Sequence, residues 1–263
     1  MERIPVLDKG FVRLVEAMGD DAAIVQAARV SYGEGTKTVR EDKALIDYLM
    51  RHRHTSPFEM VEFKFHVKAP LFVVRQWFRH RTASVNEISG RYSVLKEEFY
   101  EPPAWRRQAK RNKQGSEGLL ADEEASLLLK EVEANAYQAY RALLAKGVAR
   151  EMARMVLPLN LYTEFYWKQD LHNLFGFLKL RLAPEAQWEI RQYAKAIAEI
   201  VKARVPLAWG SFEEHALHGA NLSRTELGAL RGLLTPEVYE KALKELGLSE
   251  SRIQEALEKV FGP

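Results

Sequence analysis

An α+β fold is predicted here: a mostly antiparallel sheet flanked by long helices, with a C-terminal helical extension. Residues 62–67, Glu-Phe-Lys-Phe-His-Val, alternate polar and apolar, which is the period of a half-buried strand. Residues 11–16 and 162–168 are strand-like as well. Between and after these stretches lie long segments of helical period, 122–146 and 184–205. The chain has 263 residues, 47% of them hydrophobic, enough for one large core, or for one core with a small appendage. The expected division is a main domain over 1–220 and a helical extension over 221–263.

Each element has a local reason. After strand 11–16, Asp20 or Asp21 begins a helix, because an aspartate ahead of Ala22, Ile24, Val25 and Ala28 can cap an apolar-periodic run. A second helix covers 40–53, with Ala44, Leu45, Tyr48 and Leu49 as its buried stripe. Thr55-Ser56-Pro57 stops it, since proline and the residue before it resist helix. The stretch HTSPFE, 54–59, then reads as a helix-to-strand turn around a buried Phe58. Beyond strand 62–67, Pro70 opens a helix over 71–81. At 100° per residue, Leu71, Val74, Trp77 and Phe78 form its apolar face, and Arg75, Gln76, Arg79 and His80 the opposite one. Residues 110–118 are polar, contain Gly and Ser, and read as a mobile loop. Helices follow over 122–146 and 150–156, the second stopped by Pro158. Asp170 caps a helix over 171–182, and another spans 184–205. From Leu222 onward come two short helical patterns, starting at Thr235-Pro236 and Ser249-Glu250.

Composition narrows the function. Lys plus Arg number 39 and Asp plus Glu 36, a formal net charge of +3. That is too mild for wholesale coating of nucleic acid, so any anion site must be a local cluster. No apolar run approaches the length of a membrane span, and the first ten residues are too charged for a signal peptide, so a cytoplasmic protein is expected. Cysteine is absent, which excludes disulfides, thiolate metal sites and cysteine nucleophiles. GxGxxG, GxxxxGK[ST] and HExxH are all missing, and no metal site is expected.

The richest stretch is RHRTASVNEISGRYS, 79–93. From His66 to Asn86 there is no acidic residue, while Lys68, Arg75, Arg79 and Arg81 are all present. A basic helix face runs there into a loop of small polar residues ending at Ser89-Gly90-Arg91. Arginine forks, backbone N–H groups and serine hydroxyls suit a phosphate, whose oxygens accept bidentate, charge-assisted bonds. A solvated basic face, or a helix reading nucleic-acid phosphates, are the alternatives on this pattern alone. Farther on, Asp170, Asn173, Phe177 and Arg181 fall on one line of a predicted helix, and Arg154 adjoins the apolar Met155-Val156-Leu157. An arginine ending so apolar a helix is costly unless it meets an anion or another acceptor.

RHRTASVNEISGR fits, without a gap, the pattern RHRxxSxNxxSxR of the flavin-dependent thymidylate synthases. HTSPFE, FHVKAPLFVVRQWFRHR, LPLNLYTEFYWKQDLHNL and FLKLR resemble that family too, so the likeness spans roughly residues 11 to 218. The resemblance implies conversion of deoxyuridine monophosphate (dUMP) to thymidylate, with methylenetetrahydrofolate giving the carbon and FAD, reduced by NADPH, supplying the hydride. A thymidylate synthase without cysteine must activate the pyrimidine electrostatically. The resemblance places the nucleotide at Gln76, Arg79, Glu87, Ser89, Gly90, Arg91, Arg154 and Arg181. It places FAD across subunits of a homotetramer, at Ser56, Arg79, His80, Arg81, Thr82, Glu87, Asp170, His172 and Gly176, with His54 near the flavin. Gly176, lacking a side chain, can offer only backbone contact. Arg181 is expected to activate the uracil ring, since a guanidinium at its amide edge favours ionisation at N3. Neither nucleic acid nor membrane is expected as a partner.

Overall fold

The computed structural model describes residues 2–30 and 39–262. The chain divides into two compact units, Met1–Leu217 and His218–Pro263. Strands of the first unit are β1 (Ile4–Val6), β2 (Gly10–Met18), β3 (Glu62–Pro70), β4 (Ser84–Glu87), β5 (Trp105–Gln108), β6 (Ser116–Leu120) and β7 (Tyr162–Asp170). Its helices are α1 (Asp21–Arg29), α2 (Val39–Arg51), α3 (Ser56–Glu59), α4 (Leu71–Trp77), α5 (Glu123–Ala145), α6 (Arg150–Ala153), α7 (Leu171–Leu182), α8 (Trp188–Arg204) and α9 (Pro206–Phe212). The second unit holds α10 (Arg224–Leu233), α11 (Pro236–Glu245) and α12 (Glu250–Phe261).

Five strands form one sheet in the order β1-β2-β3-β7-β4, antiparallel at every pairing, as the α+β reading predicts. The alternation in β3 sorts its two faces. Phe63, Phe65 and Val67 are fully buried, while Lys64 and His66 lie half-buried on the other face. Phe165 and Trp167 of β7 continue the buried side. The core centres on Trp77, whose ring lies 5.0–5.7 Å from those of Phe165, Trp167, Phe177 and Tyr193. Asp20 and Asp170 cap as expected, accepting from the Ala22 and Ala23 amides and from Asn173, and Asp122 caps α5 by accepting from Ala125. Among the described residues no helix is long and apolar enough to cross a membrane.

Several elements differ from the sequence reading. On α2, Leu49 is buried as expected, but Ile46 is buried as well and Ala44 and Tyr48 are exposed, because the helix packs against α9, an element not foreseen. Residues 54–59 contain the short helix α3 rather than a plain turn, with Phe58 buried as expected. The helix expected over 71–81 ends at Trp77, and Phe78 closes it through its N–H to the Val74 carbonyl. Burying Trp77 in the aromatic hub leaves Arg79, His80 and Arg81 in the connection to β4, so they are not on a helix face. β4 itself was missed, since Ser-Val-Asn-Glu shows no buried alternation and pairs only at its β7 edge. The supposed mobile loop 110–118 belongs to the β5–β6 hairpin, closed by Gly115 N–H to the Asn112 carbonyl and by two Gln108 side-chain bonds. Helix 150–156 splits into α6 and a 3-10 turn over Arg154–Val156. α8 begins at Trp188, not 184, after a turn in which Arg191 donates to the Pro184 carbonyl. In the second unit a third helix, α10, precedes the two foreseen, started by a Ser223–Glu226 capping box.

Candidate active site

Most of the predicted residues gather in three groups. At the first, α4 and α7 end side by side. Arg181, half-buried in the last turn of α7, donates from Nε to His80 Nε2 at 3.0 Å and from Nη2 to the Gln76 carbonyl at 3.1 Å. Burial lowers the arginine's pKa from its ordinary value. To accept at Nε2 the imidazole must be neutral, carrying its proton on Nδ1. Burial, then the Arg181 charge, push the His80 pKa down to about 4. The Phe177 ring meets the imidazole edge-on at 4.9 Å. The Gln76 amide donates to Gln187 Oε1 at 2.5 Å, and Gln187 Nε2 donates to Glu189 at 2.9 Å. Glu189, only 2% exposed, also accepts from Arg106 Nη2 at 2.5 Å and from the Tyr100 hydroxyl at 3.2 Å.

The α4–β4 connection leads away from this group. Arg79 and Arg81 are exposed, and among the described residues neither guanidinium has a hydrogen-bond or ion-pair partner. The Thr82 carbonyl accepts from Gln169 Nε2 at 3.1 Å, while Gln169 Oε1 is buried without a partner.

The second group surrounds Gly90. Glu87, at the end of β4, accepts from the Thr163 hydroxyl at 2.7 Å. Ser89 Oγ accepts from the Arg91 amide at 3.2 Å, and the Ser89 carbonyl from those of Tyr92 and Ser93, which turns the loop. Gly90 is buried against the Arg154 stem: a Cβ there would lie 3.2 Å from Arg154 Cδ. Arg91 Nε pairs with the Glu151 carboxylate at 3.2 Å, and Arg154 Nε donates to the Glu151 carbonyl at 3.4 Å. One turn of α6 thus brings the loop arginine and the 3-10 arginine together.

The third group lies at the other end of α7. Asp170 caps that helix, accepting from the Asn173 amide at 2.9 Å and side chain at 2.8 Å, so its carboxylate is already engaged. His172 and Gly176 are exposed, and a Cβ on Gly176 would meet nothing within 4 Å. Ser56 opens α3, which packs against α7, and His54 just before it lies with its ring 5.8 Å from that of Tyr48. Eleven residues of helix, about 16 Å at the α-helical rise, separate Asp170 from Arg181. The line Asp170, Asn173, Phe177, Arg181 is therefore one capping pair, one core ring and one site arginine. Gln187, Glu189, Arg106, Thr163 and Glu151 escaped sequence reasoning. Each is an ordinary polar residue in its own segment, and only the fold gives it a site partner.

The donor set suits a flavin dinucleotide. Arg79 and Arg81 offer unpaired forks to a pyrophosphate, and the orphaned Gln169 Oε1 can take a donor beside Thr82. Gly176 leaves the α7 backbone open to close approach.

The family model described as thymidylate synthase complementing protein matches residues 13–207. A flavin-dependent thymidylate synthase of Thermus thermophilus is 86% identical over 99% of this chain and 96% of its own length. One from Treponema denticola is 54% identical over 97% of this chain and 96% of its own. Among solved structures, the UMP/dUMP methylase PolB from Streptomyces cacaoi, bound with 5-Br dUMP, is 32% identical with a TM-score of 0.75, covering 82% of this chain and all of that one. Sequence and fold agree: the chain belongs to the flavin-dependent thymidylate synthases.

Proposed function

We propose that the protein carries out the reductive methylation of dUMP to thymidylate by activating the uracil ring with Arg181, the carbon coming from methylenetetrahydrofolate. Bound FAD, reduced by NADPH, supplies the hydride. The observation that carries this reading is the state of the Arg181 guanidinium in a chain without a thiol. Its Nε and one Nη2 hydrogen are committed to His80 and Gln76, and its remaining N–H groups have no partner among the described residues. Aimed at the uracil amide edge, they stabilise negative charge there and lower the ring's N3 pKa. Half-burial weakens solvent screening and strengthens the effect.

Arg79, Arg91 and Arg154 take the nucleotide phosphate, with the amides at Ser89 and Gly90, and Gln76 and Glu87 line the rest of the nucleotide. Ser89 orients and does not attack: its Oγ accepts from the Arg91 amide, and Glu87, the nearest carboxylate in sequence, is held by Thr163. His54, Ser56, Arg79, His80, Arg81, Thr82, Glu87, Asp170, His172 and Gly176 form the FAD site, Asp170 and Gly176 through the α7 backbone and His80 through its carbonyl, which leaves the imidazole to Arg181. A homotetramer sharing these sites is supported by Tyr92, Val94 and Met155, which stand 78%, 53% and 74% exposed beside the second group. We propose a cytoplasmic location as well, supported by charged nucleotide and folate substrates that do not cross membranes unaided. Lysine keeps the charge of Arg181 but loses the planar fork, so Arg181→Lys should cut turnover sharply with FAD content unchanged. Wild-type turnover of Arg181→Lys at saturating dUMP would remove the activating role.

A further inference from the structure

We infer that His80 is a positioning residue for Arg181, a neutral acceptor that locks one edge of the guanidinium so that the opposite edge meets the pyrimidine. This deepens the proposed activating role of Arg181 and rests on it. An arginine at a helix end has several rotamers, and a fork that wanders cannot hold a planar amide edge. Two acceptors restrain this one: His80 Nε2 at 3.0 Å and the Gln76 carbonyl at 3.1 Å. Both come from the short run where α4 ends, and the His80 amide is itself held by the Trp77 carbonyl at 3.0 Å. The imidazole is packed against Phe177, one turn before Arg181 on α7. The clamp is therefore built from two elements that the Trp77 hub already fixes.

The chemistry of the acceptor matters as much as its place. A carboxylate at position 80 would hold the guanidinium equally well but would cancel its charge and compete with the developing anion on the ring. An imidazole accepts at Nε2 and brings no charge, so the full positive charge remains for the ligand. Half-burial and the adjacent cation keep it neutral.

The test is a double-mutant cycle in the FAD-loaded enzyme, read as kcat at saturating dUMP and as flavin absorbance. His80→Leu removes the acceptor, whereas His80→Gln places Oε1 near the position of Nε2. We expect His80→Leu to lower kcat roughly tenfold with flavin retained, as for one lost charged hydrogen bond, and His80→Gln to recover most of that. In an Arg181→Lys background, His80→Leu should change kcat by less than about twofold, because the edge it positions is gone. An equal loss in both backgrounds overturns the inference, as does His80→Gln being as slow as His80→Leu. Flavin release that accounts for the lost kcat also overturns it, in favour of a cofactor contact. If Arg181→Lys alone turns over normally, the activating role itself falls; if it is slow and the cycle is additive, only the role of His80 falls.

Discussion

Gly90→Ala tests whether the loop and the 3-10 turn act as one phosphate clamp. The added Cβ would lie 3.0 Å from Leu95 Cδ1 and 3.2 Å from Arg154 Cδ. Carbon atoms rest comfortably at about 3.5–4.0 Å, so the neighbours must yield by roughly half an ångström. Leu95 cannot retreat as a whole, because its amide donates to the Tyr140 hydroxyl and its carbonyl accepts from Tyr137, both at 3.1 Å. The Leu95 side chain or the Arg154 stem has to move, and among the described residues the Arg154 side chain is restrained only by a 3.4 Å bond to the Glu151 carbonyl. Stability should fall by about 1 kcal/mol, the low end of overpacking costs, since side-chain ends absorb the strain. The nucleotide should suffer more. Displacing a guanidinium from a phosphate removes a charged hydrogen bond, about 1.5–3 kcal/mol, so the dUMP dissociation constant should rise tenfold to a hundredfold. Calorimetric titration of FAD-loaded protein measures that constant, and a thermal melt in parallel shows that the fold survives. A dissociation constant equal to wild type, in a variant that melts normally, would refute the clamp.

Gly10→Ala should be far more damaging, for its Cβ would sit 2.1 Å from the Tyr193 hydroxyl, 2.6 Å from the Val6 carbonyl and 2.8 Å from the Lys68 carbonyl. Two of those are strand backbone, and the tyrosine would lose its bond to Lys68, so a loss above about 3 kcal/mol in urea unfolding is expected; a wild-type midpoint would contradict it. Stability should also depend on His80. Its pKa drops from 6.5 to about 4 on folding, so as pH falls through that window the unfolded chain gains a proton that the folded one refuses. The stability present above the window is lost progressively within it, and His80→Gln should flatten the urea midpoint between about pH 7 and about pH 5 relative to wild type. FAD content and oligomer size should fall together on dilution in size-exclusion chromatography, and a monomer that keeps stoichiometric FAD would rule out a shared site.

Much of this protein is written locally. Strand β3 follows from a period-two pattern, α7 from Asp170 and an apolar run, and α1 and α5 from their aspartate caps, because each depends on residues a few positions apart. The chemistry is local as well: the run from Arg79 to Arg91 carries its donors within one short stretch, and the missing cysteine closes the thiolate route. What pattern reading cannot reach is where a long-range contact overrides periodicity. Helix α4 stops at Trp77 because four rings from β7, α7 and α8 bury that side chain, and this stop moves His80 off the helix face to meet Arg181, 101 positions away. The stripe on α2 keeps Leu49 but takes in Ile46 and drops Ala44 and Tyr48 for the same kind of reason, the unforeseen packing of α9. Gln76, Gln187, Glu189 and Arg106 likewise become one hydrogen-bonded chain only when α4, α8 and the β5–β6 hairpin converge. Composition and local pattern single out the arginine-rich segment, and the family resemblance names the groups proposed to bind and activate. Which of those groups share a hydrogen bond is settled by the fold, because burial and partner geometry are set by elements far apart in the chain.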